Sequence, residues 1–172
     1  MKKTTNSFGH VFVLNGPSSA GKTTLARALQ EHIGVSCVVL SIDHFYDCTH
    51  RDARNNWLQF STLTEAVLAA AVSFANRGYD VVIDTVFERP ESAFATQKAL
   101  TNLPHSLVAV TCPIAILETR EKDRGDRGTG LARQQHKRVF QEAVYALTVD
   151  TAANSPKTCA RRIAVLRAVQ KQ

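Results

Sequence analysis

The sequence lacks any apolar run approaching the ~18–20 residues that cross a bilayer, so a membrane-spanning helix is not expected. Met1 to Gly9 carry two lysines but lead into no long apolar core of signal-peptide form, because Gly16 and Pro17 soon interrupt the run at Val11. A cytoplasmic protein is the expectation. Cysteine is sparse: Cys37, Cys48, Cys112 and Cys159 are scattered, with no C-x-x-C pair, which argues for free thiols over a metal knuckle or disulfide framework. Internal repeats, low-complexity tracts and linkers are missing too. The 172 residues therefore read as one domain over residues 1–172, with enough chain for a substantial core.

Charge is present in one-sided supply, a formal net of +6, which by itself suggests nucleic acid. Seven of the 21 basic residues, however, lie between Arg120 and Arg138, where a lid over a triphosphate also needs them. Nucleic acid is therefore the lesser reading, and oligomeric state leaves no mark in the sequence.

The most informative stretch is Val11-Phe12-Val13-Leu14-Asn15 followed by Gly16-Pro17-Ser18-Ser19-Ala20-Gly21-Lys22-Thr23-Thr24. It fits G-x-x-x-x-G-K-[ST], after an apolar strand and before a helical pattern at Leu25, Ala26, Ala28 and Leu29. Backbone N–H groups from Ser18, Ser19, Ala20, Gly21 and Thr24, with the helix N-terminus, are expected to face phosphates. Lys22 is expected on the β/γ-phosphates and the Thr23 hydroxyl on Mg²⁺. A glycine-rich strand–helix turn without a ligand is the alternative.

Further along, apolar runs alternate with helical patterns. A helix over 21–32 stops at Gly34, and strands are predicted at Cys37–Ile42, Tyr79–Phe87, Ser106–Cys112 and Leu147–Asp150. Helices are predicted from about Thr64 to Asn76, Pro90 to Asn102, after Pro113, Leu131 to Glu142 and Ser155 to Val169. This alternation implies an α/β fold of three αβα layers, a P-loop NTPase with a five-stranded parallel sheet and a lid near residues 120–135. Ligands in such sheets sit outside the carboxyl ends of the strands, where the loop, Asp43 and Asp84 all fall.

Two motifs of GTPases, D-x-x-G and N-K-x-D, are missing. What stands in the chain instead is Asp43 after the second strand, and Arg124 and Arg127 among Gly125, Gly128 and Gly130. A small-molecule kinase needs a carboxylate to take the acceptor hydroxyl's proton and mobile arginines to neutralise the phosphoryl group. Asp43 as a helix N-cap is the competing reading. Asp84 reads as the second Mg²⁺ residue or as a strand-end cap. Arg124 and Arg127 read as lid arginines hinged by glycine, or as a solvated helix end paired with Glu118, Glu121 and Asp126.

The chain resembles the chloramphenicol phosphotransferase-like proteins of the P-loop kinases. The likeness rests on Leu14-Asn15-Gly16, Ser18 to Lys22, Ile42-Asp43, Ile83-Asp84 with Val86-Phe87, and Cys112. It continues through Glu118, Arg120-Glu121, Arg124-Gly125-Asp126-Arg127, Gly130, Gln135, Tyr145 and Val149-Asp150-Thr151. The resemblance implies a shikimate-kinase-like fold and an ATP-dependent O-phosphotransferase, with an antibiotic or other small alcohol as acceptor. In it Asp43 is the general base, Lys22, Arg124 and Arg127 meet the phosphates, and Arg120 joins the nucleotide site. The stretch from His44 to Phe60, where the acceptor would lie, does not match the family well. A nucleoside or small-metabolite kinase of the same fold therefore stands beside this reading, as does a nucleotide-dependent nucleic-acid binder without transfer chemistry.

Overall fold

A computed structural model describes residues 8–50, 57–125, 130–141 and 143–169. Five strands, β1 (Val11–Asn15), β2 (Cys37–Ser41), β3 (Asp80–Thr85), β4 (His105–Thr111) and β5 (Leu147–Asp150), form one parallel sheet in the order β2-β3-β1-β4-β5. Every residue of β1 is buried. That suits the central strand of a sheet covered on both faces, whose sequence reads as a continuous apolar run.

Alternation then sorts the side chains. Phe12 and Leu14 join Leu25 and Leu29 of α1 (Lys22–Ile33) and Ile163 of α7 (Pro156–Ala164) in one core. Val11 and Val13 point the other way, to Val67 and Ala71 of α3 (Trp57–Ala75) and Leu100 of α4 (Pro90–Leu100). The stretch expected to form a lid is bounded by α5 (Ile114–Arg124) and holds α6 (Leu131–His136). Among the described residues no helix is long and apolar enough to cross a membrane.

Several boundaries differ from expectation. The second strand ends at Ser41, and Ile42–Asp47 folds as a short helix, α2. Ser41 explains the switch: its side chain accepts the Asp43 N–H at 3.1 Å and caps the new helix. Helix α3 begins at Trp57, seven residues before the Thr64-Glu65 pair that looked like a start. Thr64 instead bonds back to the Phe60 carbonyl as a mid-helix residue. Helix α6 stops at His136, short of the expected Glu142, and beyond it the Val139 carbonyl accepts from the Asn15 amide at 2.7 Å. The last helix comes in two pieces, α7 and α8 (Leu166–Val169).

The amino end of the sheet is closed by a buried polar cluster. His10 is 2% exposed; its N–H donates to Asp80 Oδ1 at 2.8 Å, and its ring Nε2 lies 3.0 Å from Ser106 Oγ. The other Asp80 oxygen faces Arg167 Nε at 3.1 Å. Burial, with His105 and Arg167 adding like charge, pushes the His10 pKa down to about 4 from 6.5. Between those values the unfolded chain takes up a proton that the folded chain refuses. Stability is therefore full above about pH 6.5 and falls as pH drops toward 4, by roughly 3 kcal/mol in all. Melting temperatures recorded across that window are expected to show the slope in the natural protein and a flatter one in His10→Gln. Equal slopes would assign the acid sensitivity elsewhere.

Candidate active site

At the carboxyl end of β1 the chain turns sharply under β4. A Cβ on Gly16 would lie 2.2 Å from the Val110 carbonyl oxygen, so only glycine fits that approach. The loop then holds Ser19 at φ 62 and Gly21 at φ 81. Such left-handed turns aim successive N–H groups into one concavity, at a cost for Ser19 of about 1 kcal/mol. Gly21 leads into α1, which has no side-chain cap and no acidic residue in its first turn. Its orphan N–H groups and dipole are thus left for an anion. Ser18, Ser19, Gly21 and Thr24 border the cavity described below, whereas Ala20 is fully buried and the Ser18 N–H is taken by the Gln135 side chain at 2.7 Å.

Lys22 is 8% exposed and its ammonium donates to the Pro17 carbonyl at 2.9 Å, folded back along its own loop. Thr23 Oγ1 donates to Asp84 Oδ2 at 2.6 Å. Asp84 is in register with Leu14 on one side and Ser41 on the other, so the sheet itself sets this pair beside the loop. A hydroxyl and a carboxylate beside a phosphate cradle are the hard oxygen donors Mg²⁺ selects, the rest of its shell coming from phosphates and water. The residues present fit the ion.

These groups open into a cavity of about 520 Å³. Ser18, Lys22, Thr23 and Asp84 line one part of it. Asp43, Tyr46 and Phe60 line another, with Thr85, Val86 and Glu88 from the end of β3 and the turn that follows. Asp43 stands in the first turn of α2, exposed to the cavity, so the structure makes Ser41 and not Asp43 the N-cap. Asp43 and Tyr46 share a helix face, and burial together with the Asp43 charge raises the Tyr46 phenol above its usual range.

The lid contributes from the far side. Arg120 donates through Nη1 to Thr151 Oγ1 and through Nη2 to the Thr151 carbonyl, each at 3.2 Å, and reaches the Ser19 carbonyl at 3.5 Å. Thr151 in turn donates to the Ala20 carbonyl at 2.8 Å. Arg120 therefore braces the loop through Thr151 while itself lining the cavity. Arg124, one turn further along α5, lines the cavity. Glu121 between them is buried and accepts the N–H groups of Gly130 and Ala132 at 2.7 and 2.9 Å, which caps α6 with charge. The partner of Glu118 is Arg133, at 2.5 Å. Arg127 lies outside the described residues.

Two polar side chains of the family pattern, Asn15 and Gln135, also stand in this region. Asn15, fully buried at the end of β1, accepts the Phe87 N–H at 2.8 Å through Oδ1. Its Nδ2 reaches the Val139 carbonyl at 2.7 Å and the Tyr145 hydroxyl at 2.6 Å. Gln135 of α6 accepts the Ser18 N–H at 2.7 Å. Glu88, which also lines the cavity, belongs to no motif legible in the sequence. The buried thiols of Cys37, Cys112 and Cys159 are pushed up by desolvation, as suits packing residues.

Residues 9–167 match the family described as chloramphenicol phosphotransferase-like protein. No curated protein matches the sequence significantly. Among solved structures, the APS kinase of Mycobacterium tuberculosis in complex with AMPPNP and APS superposes with a TM-score of 0.76 at 17% identity, over 92% of this chain and 97% of that one. The shikimate kinase of Acinetobacter baumannii in complex with shikimate gives 0.68 at 20% identity, over 98% of each chain. The tunicamycin resistance protein of Deinococcus radiodurans gives 0.61 at 16% identity, over 91% of this chain and 94% of the other. The fold is that of the P-loop kinases.

Proposed function

We propose, because the chain belongs to the chloramphenicol phosphotransferase-like family, that it transfers the γ-phosphoryl group of ATP to a hydroxyl of a small molecule, an antibiotic first among the candidates. The observation that carries this reading is the single cavity faced by both the phosphate loop and Asp43, with Thr23 and Asp84 hydrogen-bonded beside the loop. One half suits a phosphate donor and the other an alcohol.

In this reading the loop N–H groups and Lys22 hold the β- and γ-phosphates, the ammonium leaving the Pro17 carbonyl to do so. Thr23 and Asp84 are the residues that would hold Mg²⁺, which when bound supplies neutralising charge at the phosphate oxygens. Asp43 accepts the proton of the acceptor hydroxyl. The oxygen so freed forms its bond to the γ-phosphorus as the bond to the β–γ bridging oxygen breaks, and ADP keeps that electron pair. Arg124, with Arg127 beside it in sequence, offsets the charge spread over the moving phosphoryl group. Tyr46, Phe60 and Val86 give the acceptor an apolar wall to lie against.

Incubation of the protein and Mg·ATP with a mixed pool of hydroxyl-bearing antibiotics and metabolites, followed by mass spectrometry, tests the proposal. One compound is expected to gain a single phosphoryl group. Phosphorylation of a nucleoside or central metabolite alone would move the acceptor away from antibiotics and keep the transfer. No product from any acceptor, with steeply salt-dependent binding to DNA or RNA, would overturn the kinase reading.

A further inference from the structure

Gln135 occupies a position for which the proposed transfer has no use. It is 3% exposed, on a six-residue helix of the lid, yet its amide is spent on neighbours far away in sequence. Oε1 accepts the Ser18 N–H at 2.7 Å, and Nε2 donates to Glu88 Oε1. The orientation is forced, because Ser18 offers a donor and Glu88 an acceptor. The second Glu88 oxygen accepts from Arg138 Nη2 at 3.3 Å. A continuous chain of hydrogen bonds thus runs from the phosphate loop, through the lid, to the turn after β3 whose Val86 and Glu88 border the cavity.

We propose that Gln135 is a positioning residue, whose amide couples docking of the lid to the phosphate loop on one side and to the acceptor wall on the other. The lid carries Arg124 one turn beyond Arg120, and α6 is joined to α5 through the Glu121 cap. When the Gln135 bridge is made, Arg124 and the Val86–Glu88 wall are placed by the same contact. When it is broken, α6 loses its tie to the loop and the arginine loses its fixed distance from the phosphates. This assignment rests on the transfer reading for its kinetic consequence, but the bridge itself has a direct readout.

The test is a substitution that makes the hydrogen bond to Glu88 depend on pH. In Q135E the side chain keeps its shape but brings a second carboxylate against Glu88. The charged groups that share the cavity with Gln135 or bond to its segment are Glu88 from the turn before α4, Arg138 after α6, Arg120, Glu121 and Arg124 from α5, Lys22 from the loop, Asp43 from α2 and Asp84 from β3. The cations favour the ionised form of the new acid. Glu88, however, is the charged side chain in hydrogen-bond contact with it, and that contact and burial both favour the protonated form. At low pH it donates as the amide did; as pH rises it ionises and the two carboxylates repel. Q135E is therefore expected to match the natural protein near pH 5.5 and to lose about 10- to 100-fold in kcat by pH 8, with KM for ATP changed far less. The double variant Q135E/E88Q has the same composition as the natural pair with the roles exchanged. Its carboxylate accepts from Ser18 and from the Gln amide placed at 88, and the loss at pH 8 is expected to be reversed.

Hydrogen exchange of residues 130–141, followed at both pH values without any acceptor, reads the bridge directly. Faster exchange in Q135E at pH 8 alone, restored in the double variant, supports the assignment. Exchange that follows the natural protein at every pH overturns it, as does a double variant no better than Q135E. If Q135E does not fold at pH 8, the double variant decides alone: recovery of folding and of natural exchange supports the bridge, and failure overturns it. A protein that phosphorylates nothing would sink the kinase reading and leave the exchange result to stand on its own.

Discussion

Asp43→Asn lowers kcat by about 10²- to 10⁴-fold and leaves the affinity for ATP near that of the natural protein. This is the result expected if the carboxylate takes the acceptor proton, since an amide of the same shape has no comparable basicity. The fold protects the experiment from a trivial outcome. Ser41 caps α2 through the Asp43 backbone N–H, which asparagine retains, so the helix persists without the carboxylate. At the helix end the substitution removes a favourable first-turn charge, worth about 0.3–1 kcal/mol. Steady-state kinetics together with calorimetric titration of an ATP analogue separate the two effects. A kcat within a few-fold of the natural value would reduce Asp43 to a helix-stabilising acid and send the search for the base elsewhere in the cavity.

The second large effect belongs to Lys22→Ala. Its ammonium is nearly buried and is the cation held by the loop itself, bonded to the Pro17 carbonyl. Removing it takes away a donor preset for the transferring phosphate, and about 10²- to 10³-fold in kcat is expected to go with it, alongside weaker ATP binding. Lys22→Arg is expected to recover little, because a planar fork cannot follow the path of a compact ammonium through a tight backbone loop. Unchanged kinetics in the alanine variant would remove the phosphate-loop assignment altogether.

Much of this was legible in the sequence, and for definable reasons. Strands such as Val11–Asn15 and Leu147–Asp150 announce themselves by β-rich apolar runs between turn residues, and the loop by glycine at fixed offsets. The short helix α2 was hidden because Ile42 continues the apolar run of the strand before it, while the decisive event is one serine hydroxyl turning back on a backbone N–H. The start of α3 was misplaced because Thr64 and Glu65 imitate an N-terminus while lying in mid-helix. Least legible was the polar network. Gln135 meets Ser18 across 117 positions, and Asn15 meets Tyr145 across 130. No local pattern encodes such a pairing. It exists only once the sheet has brought β1, the turn after β3 and the lid together.

Asn15 carries a further consequence, for the chemical lifetime of the protein. Asparagine followed by glycine is the dipeptide most prone to lose its amide, because an unhindered glycine nitrogen attacks the side-chain carbon. Here that dipeptide is Asn15-Gly16, at the threshold of the phosphate loop. In the native chain the Asn15 amide is fully buried and held by Phe87, Val139 and Tyr145, so it cannot swing onto the Gly16 nitrogen. Once unfolded, the same bond ages freely. The attack expels ammonia, and water opens the resulting imide to aspartate or isoaspartate. Neither carries the N–H donors that met the Val139 carbonyl, so the native contacts cannot be rebuilt on refolding. Each excursion out of the native state thus risks an irreversible mark at residue 15, and the accumulated mark records how long the chain has spent unfolded.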